Sequence, residues 1–233
     1  LVMINYISPK VTGPTESANG RAARLAGQFP GRLLPLAGID PRRVANVADE
    51  MDTLLGGLRM SGIKIHPPHQ LLHANAYQDE PTLGGLATVY EKCIEYDVPV
   101  VVHTGTSIFP RARNKYGNPM DLDDVLTDFP ELIVIIAHGG RPLWMDEAFF
   151  LLRRFENAYL DISSIPPLKL LEYFPWLERV ADRAIFGSDW PGPGVRDPGK
   201  NIEAFYSLPI SEENKRLILR ENALKVFRRW PGA

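Results

Sequence analysis

Apolar residues come in short unbroken runs separated by stretches of helical spacing, and this alternation repeats to the end of the chain. Residues 1–7, 32–39, 62–66, 98–103, 132–137, 158–162 and 184–186 read as strands. Residues 15–29, 44–58, 82–96, 122–129, 143–155, 167–180, 212–219 and 222–230 carry the spacing of helices. Asp40-Pro41 reads as an N-cap followed by proline at the first helical position. Most of the strands are continuously apolar instead of alternating, Val100-Val101-Val102 being one example. Such runs predict strands buried on both faces, as in a parallel sheet under helices. No linker-like or low-complexity segment interrupts the pattern, so the chain is expected to be one α/β domain over residues 1–233. The sheet is either open and doubly wound or closed into a barrel.

Three of these strands end in groups with chemistry. Val100–102 runs into His103, residues 132–137 run into His138, and Ile185-Phe186 leads through Gly187-Ser188 into Asp189. In both parallel α/β architectures, ligands and catalytic groups sit at the carboxyl ends of strands. Two histidines and an aspartate gathered there suit a divalent cation, zinc first and manganese second. Such a cation lowers the pKa of bound water and polarises a carbonyl. Gly105, Gly139 and Gly140 beside the histidines let the backbone turn sharply.

Composition narrows the partners. With 26 basic and 28 acidic residues the formal net charge is −2, which offers nucleic acid or an acidic membrane no electrostatic footing. The one cysteine, Cys93, excludes an intrachain disulfide and points to a reducing, cytoplasmic setting. No apolar run approaches the roughly 20 residues that span a bilayer. The chain has no Walker-type phosphate loop, no Gly-x-Gly-x-x-Gly and no Gly-x-Ser-x-Gly, so nucleotide sites and a serine-hydrolase elbow find no support. A small-molecule substrate remains.

Further residues are candidates for holding it. Lys64 and His66 lie two apart and share a face of their strand. Arg111, Arg113 and Lys115 follow the His103 strand directly, and Arg141 follows the His138 glycines; arginine offers forked donors for a carboxylate. Trp190 is expected at the pocket rim. His69 and His73 read as surface residues of a loop, and Cys93 as packing within a helix.

Pro99-Val-Val-Val-His103-Thr-Gly105, Ile136-Ala-His138-Gly-Gly140 and Phe186-Gly-Ser-Asp189-Trp-Pro191 resemble the strand-5, strand-6 and strand-8 motifs of the amidohydrolase superfamily. The likeness is to the amidohydrolase-2 group, related to aminocarboxymuconate-semialdehyde decarboxylase. Gly62-Ile-Lys-Ile-His66-Pro67 resembles that group's strand 4, and Glu221-Asn-Ala-Leu-Lys-Val-Phe227 its closing helix. The resemblance implies a TIM-type (β/α) barrel, with His103 and Asp189 as metal ligands. It makes His138 a catalytic group, or a ligand where two metals are bound. Asp189 would also handle the proton of the attacking water. Lys64 corresponds to a lysine that some amidohydrolases carboxylate. Homo-oligomers are a family-level expectation.

One departure stands out. Members of the superfamily open with a strand carrying His-x-His, and none of the five histidines here has that spacing. In the family's order the first strand is absent, and a partial sequence or completion by a partner chain is expected. Three functions follow: a metal-dependent hydrolase, a non-oxidative decarboxylase of an unsaturated or aromatic acid, or a metal-free binding barrel.

Overall fold

The computed structural model describes residues 1–233 apart from 14, 16, 193, 194 and 230–233. Its strands are β1 (Val2–Met3), β2 (Leu34–Pro35), β3 (Ala37–Gly38), β4 (Ile63–Ile65), β5 (Val100–His103), β6 (Val134–Ala137), β7 (Ala158–Asp161) and β8 (Ala184–Ile185). All pairings are parallel. β2 and β3 are one extended stretch that pairs with β1 through its first half and with β4 through its second. Each strand expected from the apolar runs is therefore present, and each lies beside its neighbour in sequence. Among the described residues no ladder joins β1 to β8.

The continuous apolar runs are explained by a sheet with two buried faces. Ile63, Ile65, Val100, Val102, Val134, Ile136, Ala158, Leu160 and Ala184 pack into the larger core, under the helices. The residues between them, Val101, Ile135, Tyr159 and Ile185, join Leu34 and Leu36 in a separate inner core. Each strand thus alternates between two apolar environments, as the walls of a barrel do. The helix Met145–Arg154 shows how the outer layer is made: Ala148, Leu151 and Leu152, three and four residues apart, form its buried stripe.

The closing segment covers what the sheet leaves open. Val226 and Phe227 insert into the inner core. Arg229 Nη1 donates to the carbonyls of Leu55 and Met60 at 2.6 and 2.7 Å, and Arg228 pairs with Asp97. These partners precede β4 and β5, so the segment lies across the amino-terminal end of the sheet. On the β8 side, the Phe186 N–H donates to the Ile218 carbonyl at 2.8 Å. The Asn222 amide donates to Ala181 and Ala184. An edge that would otherwise show unpaired backbone groups is satisfied there by the C-terminal helices.

Some helices differ from the apolar spacing. Residues 167–180 are not one helix but short turns, Pro167–Lys169, Leu170–Tyr173 and Leu177–Arg183. Pro175 is the cause, because the residue before a proline is pushed out of helical geometry and Phe174 has φ −126°, ψ 73°. Residues 44–58 begin as a helix only at Val47, where the Asn46 side chain accepts from the Ala48 and Asp49 N–H groups. Asp40 does cap, but only a single turn, Pro41–Arg43. The helix Pro198–Tyr206 has no counterpart in the spacing, although Asp197-Pro198 is the same cap-and-proline signal. The closing pair runs as Glu212–Arg216, a wide turn and Asn222–Val226. The expected end of that last helix, Trp230, lies outside the described residues, as does Glu16 near the start of the helix expected over 15–29. No described helix is long and apolar enough to cross a membrane.

Candidate active site

The register of the sheet assembles the site. Ile65 pairs with Val102, so the next residues on the same two strands, His66 and His103, emerge side by side. Their rings stack with centroids 3.8 Å apart and planes 14° from parallel. Pro67–Gln70 forms a short helix that swings His69 back over His66, at 3.7 Å and 15°. Gln70 secures that return: its side-chain oxygen accepts from the His66 N–H, and its amide donates to the Ile39 carbonyl. Tyr6, just beyond β1, leans against both rings, and its hydroxyl lies 3.0 Å from His69 Nδ1. His69 Nε2 is 2.6 Å from Ser107 Oγ. His69 is thus buried, at 2% exposure, and not the surface residue its loop-like sequence suggests. His73 does reach the surface, paired with Asp121.

β6 and β7 supply the other half. His138 follows Ala137 with φ +66°, so the chain turns as soon as the strand ends, and its ring meets His103 edge-on at 4.8 Å. His138 Nδ1 lies 3.0 Å from Ser163 Oγ and 3.2 Å from the Ser163 carbonyl. Ser163 is held in turn by Asp161, whose two oxygens accept from the Ser163 N–H and hydroxyl. Gly187 lies directly against this pair. A Cβ there would stand 2.8 Å from Asp161 Oδ1 and 2.9 Å from Ser163 Cβ. Only glycine fits that approach.

Burial sets the charges. His66, His103 and His138 are held well below the usual histidine range, first by desolvation; neighbouring histidines and Lys64 add to this for His66 and His103, and Lys64 and Arg141 for His138. His69 falls to about 4 for the same first reason. Lys64, 4% exposed, is pulled down to about 8 by burial against the opposing attraction of Asp161 and Asp189. Asp161 is raised to about 6 by burial, with Ser163 and Lys64 opposing. Burial and the Asp189 charge push Tyr6 up to about 12. The interior therefore holds neutral imidazoles around a desolvated ammonium and carboxylate.

Asp189 and Arg141 complete the edge. Asp189 is exposed, with φ +60°, and its charge is felt by Tyr6, Lys64, Asp161 and Arg141. Arg141 Nη2 donates to Ser164 Oγ at 2.6 Å, while its Nε is buried without a partner. Trp190 stands at the rim, 59% exposed. Arg111 and Arg113 are exposed as well; Arg111 reaches the Lys10 carbonyl and Arg113 the carbonyl beside it, of Ala112. A cleft of about 210 Å³ adjoins the histidine stack at His69, lined also by Ser8, Lys10, Asp40, Arg42 and Gln70.

Tyr6, Asp161, Ser163 and this cleft were missed in the sequence. Asp161 had a readable signal, a carboxylate ending an apolar strand as His103 does; Tyr6 had none, because its strand is too short to give a direction.

Whether these residues suit a metal is decided by their unsatisfied atoms. His66 Nδ1 and His103 Nε2 are buried with no hydrogen-bond partner. Each such atom costs about 1–3 kcal/mol, which a cation or a substrate group would relieve. The donor chemistry, imidazole nitrogens beside a carboxylate, also suits a divalent cation. The rings are not posed for it, however. A bound metal lies about 2 Å from the nitrogen and in the imidazole plane, and stacked rings cannot share one. Among the described residues no three His, Cys, Asp or Glu side chains surround a metal-sized point.

Comparison with known proteins identifies the family and the fold. The sequence model described as Amidohydrolase, of the amidohydrolase-2 group, matches residues 9–229. The chain belongs to the amidohydrolase family. It is therefore a member of an enzyme family. Solved structures share the fold. A TIM-barrel protein from Bordetella bronchiseptica is 25% identical with a TM-score of 0.72, over 90% of this chain and 72% of that one. A 2,6-dihydroxybenzoate decarboxylase from Rhizobium is 17% identical with a TM-score of 0.70, over 97% and 83%. A dihydroxybenzoic acid decarboxylase from Polaromonas, with bound manganese and the inhibitor 2-nitroresorcinol, is 19% identical with a TM-score of 0.67, over 92% and 74%. No curated protein matches the chain. This member of the amidohydrolase family thus has a parallel α/β fold with TIM-barrel neighbours.

Proposed function

We propose that this chain is a divalent-metal-dependent enzyme acting on a small aromatic or unsaturated carboxylic acid, from which it removes carbon dioxide without oxidation. The observation that carries the reading is Arg141, a half-buried guanidinium with its Nε buried and unpartnered, in the field of Asp189. Lys64 adds a second desolvated cation. Both are stabilised by an anion, and a carboxylate presents the matched fork for Arg141. The decarboxylase neighbours favour the same class.

His103 and Asp189 would hold the metal, manganese or zinc, with the His103 ring turned out of its stack on His66; the cation would supply charge to the substrate's oxygens. In the proposed reaction the carbon–carboxyl bond breaks, carbon dioxide leaves, the electron pair stays on the substrate carbon, and that carbon takes a proton. His138, neutral and beside His103, would move that proton. Tyr6 and the stacked rings present an apolar, polarisable surface to an unsaturated substrate. Arg111 and Arg113 would attract the acid from solution, and Trp190 would shape the rim. Hydrolysis through an activated water is the second reading, favoured by the neutral His138, which can take a proton from water as well as deliver one.

The test is a set of hydroxybenzoates and unsaturated acids, together with lactones and amides, given to the manganese- or zinc-loaded protein. Carbon dioxide released in step with substrate loss supports the first reading. Acid release from a lactone or amide with no carbon dioxide replaces it by the second. Neither reaction from a metal-loaded, folded protein contradicts both.

A further inference from the structure

We propose that Asp161 and Ser163 are positioning residues that fix His138 in the Nδ1–H tautomer and so leave its Nε2 lone pair bare. The assignment follows from counting hydrogens. A carbonyl oxygen only accepts, so the 3.2 Å contact between His138 Nδ1 and the Ser163 carbonyl requires the proton to be on Nδ1. The Ser163 hydroxyl has one hydrogen, and Asp161 Oδ2 takes it at 2.9 Å. Toward His138 the same hydroxyl offers only a lone pair, 3.0 Å from Nδ1. Two acceptors on one nitrogen point to one tautomer.

Asp161 controls the direction of the chain of bonds. It receives both the N–H and the hydroxyl of Ser163, which fixes the hydroxyl rotor away from the imidazole. All three members are buried, at 9%, 4% and 5% exposure for Asp161, Ser163 and His138, so water does not compete for these bonds. Gly187 makes the arrangement possible, since a side chain there would displace Asp161 Oδ1 and Ser163 Cβ. The glycine two residues before Asp189 thereby serves His138 on another strand. Proton transfer and metal ligation both need a bare imidazole nitrogen, so the relay matters in either role.

This inference rests on reading His138 as a working group of the site, but its test needs neither turnover nor metal. Long-range proton–nitrogen correlation spectra of chelated protein carrying nitrogen-15 histidine report each ring's tautomer. Wild type is expected to show His138 with its proton on Nδ1. In Asp161→Asn the new amide donates to Ser163 Oγ, the hydroxyl hydrogen turns to His138, and the proton is driven toward Nε2. A net hydrogen bond of ordinary strength predicts a change of roughly fivefold or more in the tautomer ratio. Ser163→Ala should shift the ratio the same way but less, because the carbonyl remains, and Ser163→Thr should restore it. The other four histidines report that the fold is intact. A His138 proton on Nε2 in wild type overturns the inference. So does a folded Asp161→Asn with an unchanged ratio; if that variant does not fold, an unchanged ratio in Ser163→Ala does so. Absence of decarboxylation or hydrolysis would leave it standing.

Discussion

The inner face of the sheet changes character over one step of two residues. Val101, Ile135 and Tyr159 face inward with Leu34 and Leu36, and Phe227 seals them from below. Two positions further along β5 and β7, the inward places are His103 and Asp161. The same strands thus build a dry core and a polar mouth. None of these core residues has a buried side-chain nitrogen or oxygen left without a hydrogen-bond partner. The mouth contains His66 Nδ1, His103 Nε2 and Arg141 Nε, all buried without one. Stability and function are separated along the strand axis, as expected of barrels whose sites lie at their carboxyl ends. The mouth is where the fold accepts a cost in the absence of its ligands.

Substitutions can break that comparison. Phe227→Ala should lose about 3–5 kcal/mol in denaturant unfolding, as a large buried aromatic does. His103→Leu should cost under about 1 kcal/mol or stabilise, because it removes an unsatisfied polar atom, while abolishing metal uptake. Equal losses from the two would erase the distinction. Gly187→Ala sits between them. It should cost about 1–3 kcal/mol through overpacking against Asp161 and Ser163, and it should disturb the His138 tautomer as well.

Acid should unfold the protein through its mouth. The folded pKa values of His66, His69, His103 and His138 lie below the ordinary 6.5. Their contribution is full above pH 6.5 and is lost as pH falls, for His69 down to about 4. Asp161, raised to about 6, works in the opposite direction between that value and 3.8, one acid against four imidazoles. Lys64, lowered from 10.5 to about 8, gives a contribution that is lost as pH falls from 10.5 through 8. The urea midpoint of chelated protein should therefore fall slightly from pH 8 to 7 and more steeply from pH 6.5 to 4. A midpoint level down to pH 5 would mean that the histidines are solvated and the mouth is open. The smallest expected effect is that of Arg111→Ala, within about 0.5 kcal/mol of wild-type stability, with any change confined to substrate affinity.

The strands were legible in the sequence because each is an apolar run with two buried faces. The strand-end groups were legible because parallel sheets place chemistry at one edge. The histidine stack was not. It depends on the β4–β5 register and on a four-residue helix that folds His69 back, and neither leaves a periodic signal. Asp161 was readable as a carboxylate ending an apolar strand, but no motif beside it drew attention to it. The break at Pro175 was readable but was outweighed by the spacing around it.

The most direct test of the central claim is metal uptake by the full-length gene product, measured by elemental analysis with Asp189→Ala alongside. The account predicts about one divalent cation per chain in wild type, manganese or zinc, and its loss in a variant that remains folded. A folded wild-type protein that takes up no divalent cation would contradict the account and leave a metal-free binding barrel in its place.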